Sequence, residues 1–191
     1  MQFMKLENGS RELAGTLSRR RMFAIGAVAL GGLVTGRISA KAGDDDGVFQ
    51  KAESIHQEPL FKAPRKRVYE ALMSAAQFRR VIQLSAAAQS GQALGNKPVE
   101  ISRHVGGPFA LFGGHIVGWQ LELLPNERIV QAWRVVDWDP GVYSVAKFQL
   151  ADHTSGTKIV FDHTGFPPGL GRHLAAGWNA NYWQPQQIFL T

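Results

Sequence analysis

Along the second half of the chain, apolar and polar residues alternate in short runs separated by turn residues, the pattern of half-buried strands. In "TKIVFDHT", Ile159, Phe161 and His163 fall on one side and Lys158, Val160, Asp162 and Thr164 on the other. "YSVAKFQL" places Ala146, Phe148 and Leu150 together, opposite Lys147 and Gln149. "HIVGWQLELL" sets His115, Val117, Trp119, Leu121 and Leu123 against Gln120 and Glu122, which predicts an inward Trp119. "RIVQAWR" fits two phases, because Gln131 accompanies Ile129 and Trp133 while Arg134 accompanies Val130 and Ala132; Trp133 is taken as inward.

Two further strands precede these, over "VEISRHV" and "FALF", with a two-residue hairpin expected at Gly113-Gly114. Ahead of them the period changes. Ser54–Ala63 reads as a first strand, and Val68, Ala71 and Leu72 recur at helical spacing. A helix is predicted over Pro64–Met73, opened by proline, and a second over Ala75–Leu84 with Phe78, Val81 and Ile82 inward. Ser85–Pro98 is small, polar and without period, and reads as a loop.

After "GFPPG" the chain finishes on a helix in which Leu170, Leu174, Trp178 and Tyr182 recur every four residues, with Phe189 seven beyond Tyr182. Asn181 lies beside this stripe, and a kink is expected at Pro185. The order is one strand, two helices, about six antiparallel strands and a long C-terminal helix, an α+β domain. Only the last helix is long enough to cover the sheet's apolar face.

The chain has 191 residues and a formal net charge of +6. Seven Lys/Arg and two acids lie in residues 1–42; removing them from the totals of 21 and 15 leaves 14 basic and 13 acidic residues. The remainder is nearly neutral, so no nucleic-acid partner is expected. The basic segment reads as a leader. Arg20-Arg21-Met22-Phe23 precedes a 14-residue Gly/Ala-rich apolar run, Phe23–Gly36, then Arg37 and Ala40-Lys41-Ala42. The run is shorter than the ~20 residues of a membrane-spanning helix. Residues 1–42 therefore resemble a twin-arginine signal peptide, with the Tat translocon as the partner during export and the periplasm as the destination; an uncleaved leader would tether the chain to the membrane. Residues 43–53, with Asp44-Asp45-Asp46, form a flexible mature start, and 54–191 one domain.

The chain has no cysteine, which excludes disulfides and thiolate chemistry. No two of its six histidines have helical ligand spacing, and no P-loop, G-x-S-x-G or G-x-G-x-x-G occurs. No metal, cofactor or catalytic residue is assigned. Asp162 lies on the opposite face from His163, so the two form no dyad.

Phe61-Lys62-Ala63-Pro64, Gly107-Pro108-Phe109 with Gly113-Gly114, "GWQLELLPNERIVQAWR", "YSVAKFQL", "DHTGFP" and "GWNANYW" together resemble the START-like helix-grip domains of the SRPBCC superfamily. Within it they resemble the branch named for the activator of heat-shock protein 90 ATPase homologues. The resemblance implies a curved antiparallel sheet wrapped around the C-terminal helix. The basic, tryptophan-containing motif of the eukaryotic co-chaperones' N-terminal domain is missing, and an exported chain would not meet a cytosolic chaperone. Three functions stay open. The leading expectation is non-catalytic binding of a small hydrophobic or aromatic ligand between sheet and helix, with Trp119, Trp133, Phe148, Phe161, His163, Leu174, Trp178, Asn181 and Tyr182 lining the site. The second is a protein-interaction module. The third is a cyclase- or hydratase-type enzyme using His163 or Tyr182.

Overall fold

The computed structural model describes residues 53–91 and 95–191. The expected leader and nearly all of the expected mobile start lie outside them. Glu53 is described, and it is anchored: its carboxylate accepts from the Gly169 and Gly171 amides at 2.7 and 2.9 Å, in the turn ahead of the last helix.

Strand β1 (Ser54–Gln57) and the short β2 (Leu60–Phe61) lead into α1 (Arg65–Met73) and α2 (Ala75–Gln83). Pro64 takes extended φ/ψ and sits just before α1, not inside it. Ser74 ends α1 and caps α2 by accepting from the Gln77 amide, the usual use of serine between helices. Val68, Ala71, Leu72, Phe78, Val81 and Ile82 are buried, as their spacing requires. The expected loop after α2 contains one extra turn, α3 (Ala86–Gln89), capped by the buried Ser85.

The sheet continues through β3 (Glu100–Ile101), β4 (Pro108–Leu111), β5 (Ile116–Leu124), β6 (Arg128–Val135), β7 (Ser144–His153) and β8 (Gly156–Thr164). Its order is β1-β8-β7-β6-β5-β4-β3, antiparallel throughout, with β2 also on β8. It curves around the C-terminal helix, the helix-grip arrangement. Gly113-Gly114 does not make a two-residue hairpin. A 3₁₀ turn over Phe112–Gly114 joins β4 to β5, with Phe112 itself left-handed at φ 50° so that its ring reaches the core.

Two phase errors are corrected by the structure. On β5 the inward residues are Ile116, Gly118 and Gln120, while Trp119 and Leu121 are 46% and 47% exposed. Trp119 therefore faces solvent. Gln120 and Gln131 are direct cross-strand partners, and their side chains join through Gln131 Nε2 to Gln120 Oε1 at 3.3 Å. Gln120 Nε2 also donates to the Ser102 carbonyl at 3.2 Å. A buried amide pair that satisfies itself displaces the apolar rule. A bulge between Gln120 and Glu122 then returns Leu123 to the core side.

The second correction lies in the last helix, which runs as α4 (Gly171–Trp178), a π turn (Asn179–Trp183) and α5 (Gln184–Leu190). The Gln184 amide reaches the Asn179 carbonyl five residues back. This widened turn stands directly before Pro185, whose ring would crowd the Asn181 carbonyl in a regular helix. One extra residue in the turn moves the buried face forward by one. Leu174, Trp178 and Tyr182 are followed by Trp183, Gln186 and Leu190, and Phe189 is only half-buried, beneath the Arg80 guanidinium.

Gln186 is fully buried, and among the described residues neither its amide oxygen nor its nitrogen has a partner. A buried unpaired polar group costs ~1–3 kcal/mol. Gln186→Met keeps the shape and removes the polarity, so it raises the unfolding free energy by about that amount in denaturant titration. An unchanged or lower value would mean that the amide is paired.

Candidate binding site

Trp178 is the centre of the interior. Its ring lies 4.2 Å from Tyr182, 4.4 Å from Phe161, 5.4 Å from Trp133 and 5.8 Å from Phe148 between centroids, and it stacks on Trp183 at 5.7 Å. Such offset and edge-on packing is how aromatic rings fill space with little void. Gln57 ties this wall to β1: it accepts from the Trp183 indole at 2.6 Å and donates to the Ala175 carbonyl at 3.0 Å.

His163 is fully buried against these rings. The Trp178 indole donates to its Nδ1 at 3.0 Å, and its Nε2 lies 2.7 Å from Ser144 Oγ. Ser144 gives its own proton to the Trp133 carbonyl at 2.8 Å. The hydroxyl must therefore accept from His163, which fixes the neutral tautomer with the proton on Nε2. Burial holds the imidazole from its ordinary 6.5 down to about 4. Both ring nitrogens are committed, so the Ser144–His163 contact is not an activated nucleophile and His163 offers no free lone pair to a substrate. Asp162 points outward and pairs with His56 at 2.8 Å.

Burial also pushes the Tyr182 hydroxyl up, with the Trp133 indole acting weakly the other way, so Tyr182 stays neutral. Neither the Tyr182 hydroxyl nor the Trp133 N–H has a hydrogen-bond partner of good geometry among the described residues.

The interior cavity is small, ≈ 10 Å³, about the room for one water. It lies between the sheet, α1, α2 and Tyr182, and is lined by Leu72, Phe78, Ile101, Phe109, Leu111, Ile129, Gln131, Phe148 and Tyr182. Of the residues expected to line a site, Phe148 and Tyr182 border it. Trp133, Phe161, His163, Leu174 and Trp178 are packed core, and Trp119 is outside. Asn181 is no polar handle of the cavity; its Oδ1 accepts from the Ala87 amide at 2.9 Å and fastens α3 to the π turn. Gln131 was legible only as an anomaly, a polar residue in phase with Ile129 and Trp133.

The outer face of the sheet is divided. At the β7–β8–β1 end, Lys147, Asp162, His56, Glu58 and Lys158 form a chain of ion pairs at 2.8–3.7 Å. Asp162 and Glu58 are held below the usual carboxylate range, chiefly by hydrogen bonds from His56 and Lys158 respectively. Charges of this kind guard an edge strand against pairing. At the β4–β7 end, Pro108, Trp119, Ala132 and Val145 stand side by side across four strands. Trp119, Leu121 and Val145 are all more than 40% exposed there. Exposed apolar groups gathered around a tryptophan mark interaction surfaces.

Comparison with known proteins gives the same architecture. The family described as Activator of Hsp90 ATPase homolog 1-like protein matches residues 62–188. Activator of 90 kDa heat shock protein ATPase homolog 1 of Homo sapiens is 25% identical over 93 residues, covering 49% of this chain and 28% of that protein. An uncharacterized protein of Schizosaccharomyces pombe is 30% identical over 139 residues, 71% of this chain and 37% of its own length. The chain thus spans less than two fifths of these relatives. The crystal structure of an HSP90 activator from Plasmodium falciparum superposes with a TM-score of 0.62 at 23% identity, over 72% of this chain and 95% of that one. The chain belongs to the family of Activator of Hsp90 ATPase homolog 1-like proteins.

Proposed function

We propose that this chain is a non-catalytic binding domain, exported by its twin-arginine leader, that docks on another protein through the apolar half of its outer sheet face. The observation that carries the reading is a filled interior beside exposed Trp119, Leu121 and Val145. The relatives are named for activating an Hsp90 ATPase, which supports a protein partner. Export would put the domain beyond a cytosolic chaperone, so its partner is a protein of the cell envelope.

Trp119→Lys tests this, because the side chain is exposed and its loss leaves the core untouched. Crosslinking in the native host yields a saturable, identifiable partner for the wild type and at least tenfold less for the variant, with equal thermal stability. Equal capture by both proteins would sink the outer-face reading. In the same host the mature protein starts at Gly43, and the purified domain leaves Hsp90 ATPase turnover unchanged; saturable stimulation would make that chaperone the partner instead.

A small apolar or aromatic ligand is the second reading, favoured by Tyr182, Phe148 and the Gln131 amide on the cavity wall. It requires α1 and α2 to move outward. Uptake of an environment-sensitive apolar probe by the wild type, competed by the native ligand, would raise it above docking.

A further inference from the structure

The interior cavity carries an inference that stands apart from the docking face. Its lining is apolar except for Gln131 and Tyr182. Gln131 spends its amide N–H on Gln120, which leaves its carbonyl oxygen as an acceptor. The Tyr182 hydroxyl is buried and has no hydrogen-bond partner of good geometry among the described residues. An acceptor and a hydroxyl that can donate or accept thus border a space of ≈ 10 Å³. Purely apolar cavities stay dry, whereas a cavity of this size with two to four polar partners holds a water.

We propose that the cavity is a built hydration site, in which one ordered water bonds the Tyr182 hydroxyl and the Gln131 carbonyl oxygen. The water completes a buried polar chain that runs from Tyr182 through Gln131 and Gln120 to the Ser102 carbonyl. It gives the buried Tyr182 hydroxyl a partner, since buried polar groups persist when partnered. The site's chemistry selects a single hydroxyl-sized molecule and leaves no room for a ring.

Tyr182→Phe separates a hydrated hydroxyl from an orphaned one. If the water is present, the variant melts at the wild-type temperature or below it, because removing the hydroxyl unpairs the water. If the hydroxyl is orphaned, its removal raises Tm by several degrees. Crystals of the purified chain give the second readout: a spherical peak within hydrogen-bond distance of Tyr182 Oη and Gln131 Oε1. Wild-type density together with no gain in Tm supports the site. A raised Tm, absent density, or density longer than one atom each overturns it.

Discussion

Trp178→Ala lowers the unfolding free energy by ~3–5 kcal/mol, the range for deleting a large ring from a packed core. The residue is 2% exposed and touches aromatic rings on every side, but it does not border the cavity. Nothing near it can collapse cheaply into the space. Its indole N–H is also the partner of His163 Nδ1, so truncation leaves a buried acceptor unpaired and moves the cost toward the upper end. Trp178→Phe keeps most of the ring and loses the donor, and should cost less than the alanine change. Denaturant unfolding of the two variants measures both. A loss below ~2 kcal/mol for alanine would mean spare volume around the ring, and the ligand reading would regain the advantage.

Acid weakens the fold through His163. The imidazole is held at about 4 when folded and returns to 6.5 when the chain unfolds. Between these values the unfolded chain binds a proton that the folded one refuses, so stability rises with pH across this window. The contribution is complete above pH 6.5 and is gone at about pH 4. A displacement of this size corresponds to ~3 kcal/mol. The structural cause is plain: a second ring proton would stand against the Trp178 N–H, and burial withholds the solvation a charged imidazole needs. His163→Gln removes the titration, so its stability changes much less between pH 6.5 and 4 than that of the wild type. Parallel pH curves for the two proteins would assign the acid sensitivity elsewhere.

The alternation in β7 and β8 is legible because each strand has one buried face and one wet one, so side-chain period alone sets the phase of Phe148, Phe161 and His163. On β6 the period fits two phases, and Trp133 proves to be the inward one. The same rule failed on β5. Gln120 is as buried as any core leucine, and its reason for being there is Gln131 on the next strand, which no local pattern contains. Asn181 failed similarly, because its partner is the Ala87 amide of a helical turn that the text "SAAAQSG" did not announce. The cavity draws on residues from α1, α2, β3, β4, β6, β7 and the π turn, so its lining is a property of the assembled sheet and helices. What the sequence of the last helix does carry is the disturbance at Pro185; its form, a widened turn, is visible only in the fold.

That widened turn amounts to a one-residue insertion, and its product is a second inward ring. Taken without it, Leu174, Trp178, Trp183, Gln186 and Leu190 would fall at spacings of four and three along one stripe of an ordinary helix. With five residues closing the turn in place of four, successive side chains are separated by a smaller angle. Tyr182 and Trp183, neighbours in the chain, are accordingly both buried. The tyrosine fills the space between Phe78, Phe112 and Trp178 at centroid distances of 5.5, 5.5 and 4.2 Å, while the tryptophan next to it stacks on Trp178.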